Sequence, residues 1–103
     1  MEFKLFIANT KGVSRKFLVL KDGTVIVGLT GYHVSLWAAY CIAHNLDPEV
    51  ARPELIGAGT YFDDGRVYSW SSLYFRFTTP NELQEPIEEF LKTEARNLPV
   101  DTY

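Results

Sequence analysis

Between Tyr32 and Asn45 the chain runs through Val34, Leu36, Trp37, Ala38, Ala39, Tyr40, Cys41, Ile42 and Ala43 with almost no polar residue among them. Such a run predicts a helix that is apolar nearly all round, and a helix of that kind needs cover on more than one side. A sheet answers one face, and a loop or a second subunit answers the other. The residues before it supply the sheet. Arg15 to Lys21 and Thr24 to Leu29 are β-rich runs joined by Asp22-Gly23, a two-residue hairpin signal whose central residues both take φ > 0. Phe3, Leu5 and Ile7 alternate with Glu2, Lys4 and Phe6, so residues 2–8 read as a further strand. Asn45 suits a left-handed cap at the end of the helix.

The second half repeats the order of strand, turn and helix without repeating the sequence. Asp47-Pro48 through Arg52-Pro53 reads as a short solvated connection. Glu54 to Asp63 is extended and interrupted by Gly57 and Gly59, and Asp64-Gly65 is a second hairpin signal. Its partner strand runs from Arg66 to Arg76. Period-two alternation puts Tyr68, Trp70 and Tyr74 on one face and Val67, Ser69, Ser71 and Leu73 on the other. Ile87, Phe90, Leu91 and Ala95 then recur at helical spacing, with Pro86 best placed in the first turn. A start using Thr79 and Glu82 as a capping box would make Pro86 a kink instead. Leu98 to Tyr103 add an edge strand or fray. The expected fold is a single α/β (α+β) domain over residues 1–103: a mixed or antiparallel sheet of five or six strands with two flanking helices.

The 103 residues suffice for one domain with its own core. Ten Lys and Arg against thirteen Asp and Glu give a net charge of −3, which argues against an extended nucleic-acid footprint while leaving a local anion pocket open. The single Cys41 forms no internal disulfide framework and fits a reducing compartment. Met1 to Ala8 are too short and too charged for a signal peptide, and no run reaches membrane-spanning length. A soluble cytoplasmic protein, not bound to a membrane, is the expectation.

Gly31-Tyr32-His33 stands where strand gives way to helix, and it is the first place to look for chemistry. The N–H groups of a first helical turn lack intrahelical partners and welcome an anion. Histidine is the side chain that exchanges protons near neutral pH, and His33 is one of two in the chain. The ordinary reading of such a histidine is a packing or surface residue. Lys16 begins a strand, where spacing alone gives it the role of an edge lysine in water. Gly57 and Gly59 mark a bulge or a close approach of backbone to ligand. Ser69, Ser71 and Ser72 place hydroxyls in an otherwise apolar strand, to bind an anion or to face water. Cys41 and His44 stand three apart on the helix but lack the further ligands a zinc site needs, so neither metal nor cofactor is expected. There is no Walker loop, no CxxC, no HExxH and no Gly-x-Ser-x-Gly.

Taken in order, Lys16-Phe17-Leu18-Val19-Leu20, Gly31-Tyr32-His33, Glu54-Leu55-Ile56-Gly57-Ala58-Gly59 and Val67-Tyr68-Ser69-Trp70-Ser71, closing in a short helix, resemble the janus/ocnus family, which includes the protein phosphohistidine phosphatases. The resemblance spans about residues 14–97. It implies a small sheet with flanking helices carrying a cofactor-free phosphatase site. His33 matches the catalytic histidine, Lys16 a lysine on the phosphoryl group, and Ser71 a serine whose neighbourhood, including the backbone at Leu73, binds phosphate. Gly57 and Gly59 match two members of a glycine triplet lining the site. Ala58 takes the triplet's middle place and Thr60 that of the arginine after it. A second arginine, on the strand before the catalytic helix, has no counterpart near Gly28. A lysine does not replace the bidentate contacts of those two guanidiniums.

The resemblance implies a metal-independent phosphohistidine phosphatase acting on a phosphohistidine protein or a small phosphorylated ligand. The residues also fit a non-catalytic protein that holds a small nucleotide-like ligand, with Tyr68, Trp70 and Tyr74 as a stacking face or simply packed beneath a helix. A third possibility is a homodimeric interaction module using the apolar helix.

Overall fold

The computed structural model describes residues 2–62, 66–69 and 81–95, with Tyr68 and Ser69 as backbone. The elements run β1 (Lys4–Ile7), β2 (Arg15–Leu20), β3 (Thr24–Leu29), α1 (His33–Ala43), α2 (Pro48–Ala51), a 3-10 turn (Arg52–Glu54), β4 (Leu55–Tyr61), β5 (Val67–Ser69) and α3 (Asn81–Glu94). This is a small mixed-sheet α+β domain. Its strands lie in the order β1-β3-β2-β4-β5, with β1 parallel to β3 and the other pairs antiparallel. Four strands form the body of the sheet, and the three residues of β5 lie along its β4 edge. The expected continuation to Arg76, the Asp64-Gly65 turn and the segment from Leu98 lie outside the described residues. Among the described residues no helix is long and apolar enough to cross a membrane.

The sheet is covered on both faces, which explains why β2 and β3 read as almost unbroken apolar runs. Leu18, Leu20, Ile26, Leu55 and Ala58 meet Leu36, Trp37, Tyr40 and Cys41 of α1 on one face. Phe17, Val19, Val25, Val27 and Tyr61 meet Ile87, Leu91 and Ala95 of the α3 segment on the other. Strands β3 and β4 run in the same direction on either side of β2, so the chain between them must cross over the sheet, and α1 is that crossover. The expected cover on a second side of α1 comes partly from the connection that follows it. Trp37 Nε1 donates to the Pro48 carbonyl at 3.0 Å, and Ala51 packs against the α1 core. The outer face of α1 keeps Val34 and Ile42 exposed.

Several boundaries differ from expectation for identifiable reasons. The β2–β3 connection is a three-residue loop. The Gly23 N–H bonds the Leu20 carbonyl at 3.0 Å, and in this loop only Gly23 has a positive φ, 92°. That is a turn closed by a left-handed glycine, and Asp22 serves it through its carboxylate, which accepts from the Thr24 N–H at 2.9 Å. The connection after α1 contains a third helix, short α2, capped by the Asp47 carboxylate. Helix α3 begins before Pro86, which lies inside it. Leu83 joins the core together with Ile87 and Leu91 at four-residue intervals, so the helix has to extend upstream of the proline. Pro86 itself is exposed, so the Glu82 carbonyl that loses its usual N–H partner lies on the solvent side. At the end of α1, Asn45 takes φ 55°. The Leu46 N–H reaches the Cys41 carbonyl at 2.8 Å and the Asn45 N–H that of Ile42 at 3.3 Å, the Schellman pattern expected of a left-handed asparagine.

The two faces of α1 make opposite predictions. Leu36→Ala removes a fully buried side chain and lowers unfolding free energy by about 2–5 kcal/mol. Ile42→Ser, at a position 81% exposed, changes it by less than about 0.5 kcal/mol. Urea titrations of the two variants check both values.

Candidate functional site

The site forms where β3 ends and α1 begins, beside the first residues of β2. The Thr30 hydroxyl accepts the Tyr32 N–H at 3.2 Å, a side-chain turn that redirects the chain from strand into helix. Tyr32 is the cap residue, and no side chain caps the helix. Gly31 is exposed, and a Cβ there would meet nothing within 4 Å. Close packing therefore does not require glycine at this point.

His33 is the first residue of α1 and is turned inward, 3% exposed. Its Nε2 lies 2.8 Å from the Gly59 carbonyl of β4. A carbonyl only accepts, so Nε2 carries the proton and, in the neutral ring, Nδ1 holds the lone pair. Burial pushes the imidazole below its ordinary pKa of 6.5. The Gly59 carbonyl opposes that effect, and the nearby Lys16 charge adds to it. The ring is thus held in its neutral form, with Nδ1 as its basic nitrogen.

Lys16 is not an edge lysine. Its strand lies between β3 and β4, and the residue is 8% exposed. Alternation along β2 puts it on the α1 face with Leu18 and Leu20, while Arg15 shares the other face with Phe17. The Lys16 ammonium donates to the Thr60 hydroxyl at 3.3 Å, and burial lowers the ammonium's pKa from its ordinary value. Across the sheet Lys16 pairs with Gly28 on one side and Thr60 on the other. A Cβ on Gly28 would stand 2.7 Å from Leu36 Cδ2 and 2.7 Å from Thr10 Oγ1. The missing side chain at Gly28 is therefore the space that lets α1 settle on the sheet beside Lys16.

The structure brings together His33, Lys16 and the backbone of Gly59. Gly59 takes part through its carbonyl, while by register Gly57 faces Val19 on the α3 side. The glycine-marked irregularity is real: the β2–β4 pairing shifts between Val19 and Leu20, leaving Ile56 as the extra residue. Tyr68 pairs with Thr60, and Ser69 with Gly59, along the backbone. Trp70, Ser71, Ser72, Leu73 and Tyr74 lie outside the described residues. Thr60, at the position where the resemblance puts an arginine, is the residue that Lys16 meets. Its place across from Lys16 depends on the β2–β4 register, which local pattern does not reveal.

Elsewhere, Cys41 is buried and its thiol is pushed above its ordinary pKa, chiefly by burial. His44 stacks on Tyr40 at 4.1 Å, with Nδ1 donating to the Tyr40 carbonyl at 3.0 Å. Among the described residues no three His, Cys, Asp or Glu side chains are grouped to hold a metal ion. No protein-family model, curated protein or solved structure matches the chain.

Because His33 binds protons less readily folded than unfolded, the unfolded chain takes up the extra proton as pH falls below 6.5. Stability contributed by this group is full above that pH and declines below it, until the folded ring itself protonates. Urea unfolding at pH 7.5 and 5.5 should show a loss in the wild-type protein that is smaller in His33→Gln. An equal loss in both would place the titrating group elsewhere.

Proposed function

We propose that this chain is a metal-independent phosphohistidine phosphatase-like protein of the janus/ocnus type. The observation that carries the reading is the buried His33 whose Nε2–H is tied to the Gly59 carbonyl, which makes Nδ1 the ring's basic atom, with a lysine ammonium nearby. In this reading the Nδ1 lone pair takes a proton from water as the water oxygen attacks phosphorus. The P–N bond breaks, and the departing imidazole nitrogen of the substrate takes up a proton. Alternatively, Nδ1 attacks phosphorus itself and water releases the phosphoryl group in a second step. Lys16 and the first N–H groups of α1 offset the charge on the transferring oxygens. Ser71 and the backbone at Leu73 belong to the same proposal, as does a sheet extended to five or six full strands.

One observation favours a second reading, a protein that holds a phosphate-bearing ligand without turning it over. The sheet positions flanking Lys16 are Thr60 and a glycine against which Leu36 packs, and neither supplies a guanidinium. Bidentate charge on the phosphoryl oxygens would then have to come from another part of the chain.

The two readings separate in an assay of phosphoramidate and phosphohistidine-peptide hydrolysis, with and without EDTA. The phosphatase reading expects turnover that survives EDTA and falls by about 10²–10⁴ in His33→Ala. Its pH profile rises on a limb below 6.5, where His33 loses its proton, and falls on a limb below 10.5, where Lys16 does. Wild-type turnover in His33→Ala overturns it. Binding of phosphoramidate without hydrolysis supports the second reading.

A further inference from the structure

Two consecutive residues of β4 engage the two candidate groups. The Gly59 carbonyl accepts from His33, and the Thr60 hydroxyl accepts from Lys16. We infer that Thr60 is a positioning residue, fixing the Lys16 ammonium in register with His33. This rests on the anion-handling reading of the site.

The argument starts from the lysine. An ammonium is a point charge on a four-carbon stem with three rotatable donors, so a strand position alone does not set where the charge sits. Here the residue is nearly buried in a central strand. On its β3 flank is Gly28, whose missing side chain leaves room for Leu36. On its β4 flank is Thr60, the directly paired residue, whose Oγ1 lies 3.3 Å from Nζ. Threonine is stiff about χ1 because its Cβ is branched, so its oxygen is a fixed point rather than a mobile one. Adjacent residues of one strand, Gly59 through its carbonyl and Thr60 through its hydroxyl, thereby engage both the imidazole and the cation.

Thr60→Val and Thr60→Ser test this. Valine keeps the shape and strand preference and removes the acceptor; serine restores the acceptor without the methyl group. Two readouts are used. One is kcat/KM for phosphoramidate hydrolysis; the other is the titration midpoint of the His33 ring followed by NMR, which needs no turnover. Thr60→Val should lower kcat/KM by about ten- to a hundredfold. It should also move the His33 midpoint upward by about half a pH unit, because an ammonium no longer held by Thr60 opposes protonation of the ring less. Thr60→Ser should bring both back toward the wild type. If Thr60→Val leaves the midpoint unchanged, the inference is overturned, whatever happens to turnover. If the wild type hydrolyses nothing, the phosphatase reading fails and the midpoint alone decides the role of Thr60. A shifted midpoint in Thr60→Val, reversed in Thr60→Ser, supports positioning in that case as well. A midpoint that shifts equally in both variants points to a general loosening of the strand and overturns the inference.

Discussion

The site depends on the register of one strand pair. Phe17 opposite Gly59 and Lys16 opposite Thr60 define how β2 meets β4, and the meeting of Lys16 with Thr60 follows from it. A slip of one residue would carry Lys16 to the α3 face and bring Arg15 to the α1 face. The register is held because both faces of β2 are buried: Leu18 and Leu20 belong under α1, and Phe17 and Val19 belong under α3. At the same end of β4, next to Thr60, the Tyr61 hydroxyl donates to the Ala95 carbonyl at 3.1 Å and fastens the strand to the end of α3. The candidate site is thus built on a strand buried on both faces, although Lys16 and His33 are polar.

Much of this fold was legible because it rests on local pattern. The apolar helix, the two β-rich runs around Asp22-Gly23, the left-handed asparagine and the helix around Ile87 and Leu91 all arise from periodicity or from a residue's own backbone preference. The details that were missed depend on partners distant in sequence. Leu83 extends α3 across Pro86 because it packs against the core cluster to which β2, β3 and β4 contribute. The turn at Gly23 has three residues because the register of Val19 with Val25 requires it.

The same division applies to the site. His33 could be singled out from its position at a strand-to-helix junction, but its inward orientation and its tie to Gly59 could not, since they join residues 26 positions apart. Lys16 looked like an edge lysine until the strand order placed β2 in the middle of the sheet. Thr60 stands where the resemblance puts an arginine, but a threonine in a strand is ordinary, and only its pairing with a buried lysine gives it meaning. Gly28 likewise gains its role from Leu36, a residue of the helix that packs over it. In physical terms, the sequence marked the groups able to do chemistry, and the tertiary pairing determined which of them meet.

The central claim is that the fold holds His33 as a neutral ring with its proton on Nε2 and its basic atom at Nδ1. Long-range proton–nitrogen correlation spectra of the uniformly labelled protein at pH 7 measure this directly. The account predicts the neutral Nε2–H form for His33, with the Nδ1 resonance responding when phosphoramidate is added in the presence of EDTA. An imidazolium at that pH, or a ring protonated on Nδ1, would contradict it.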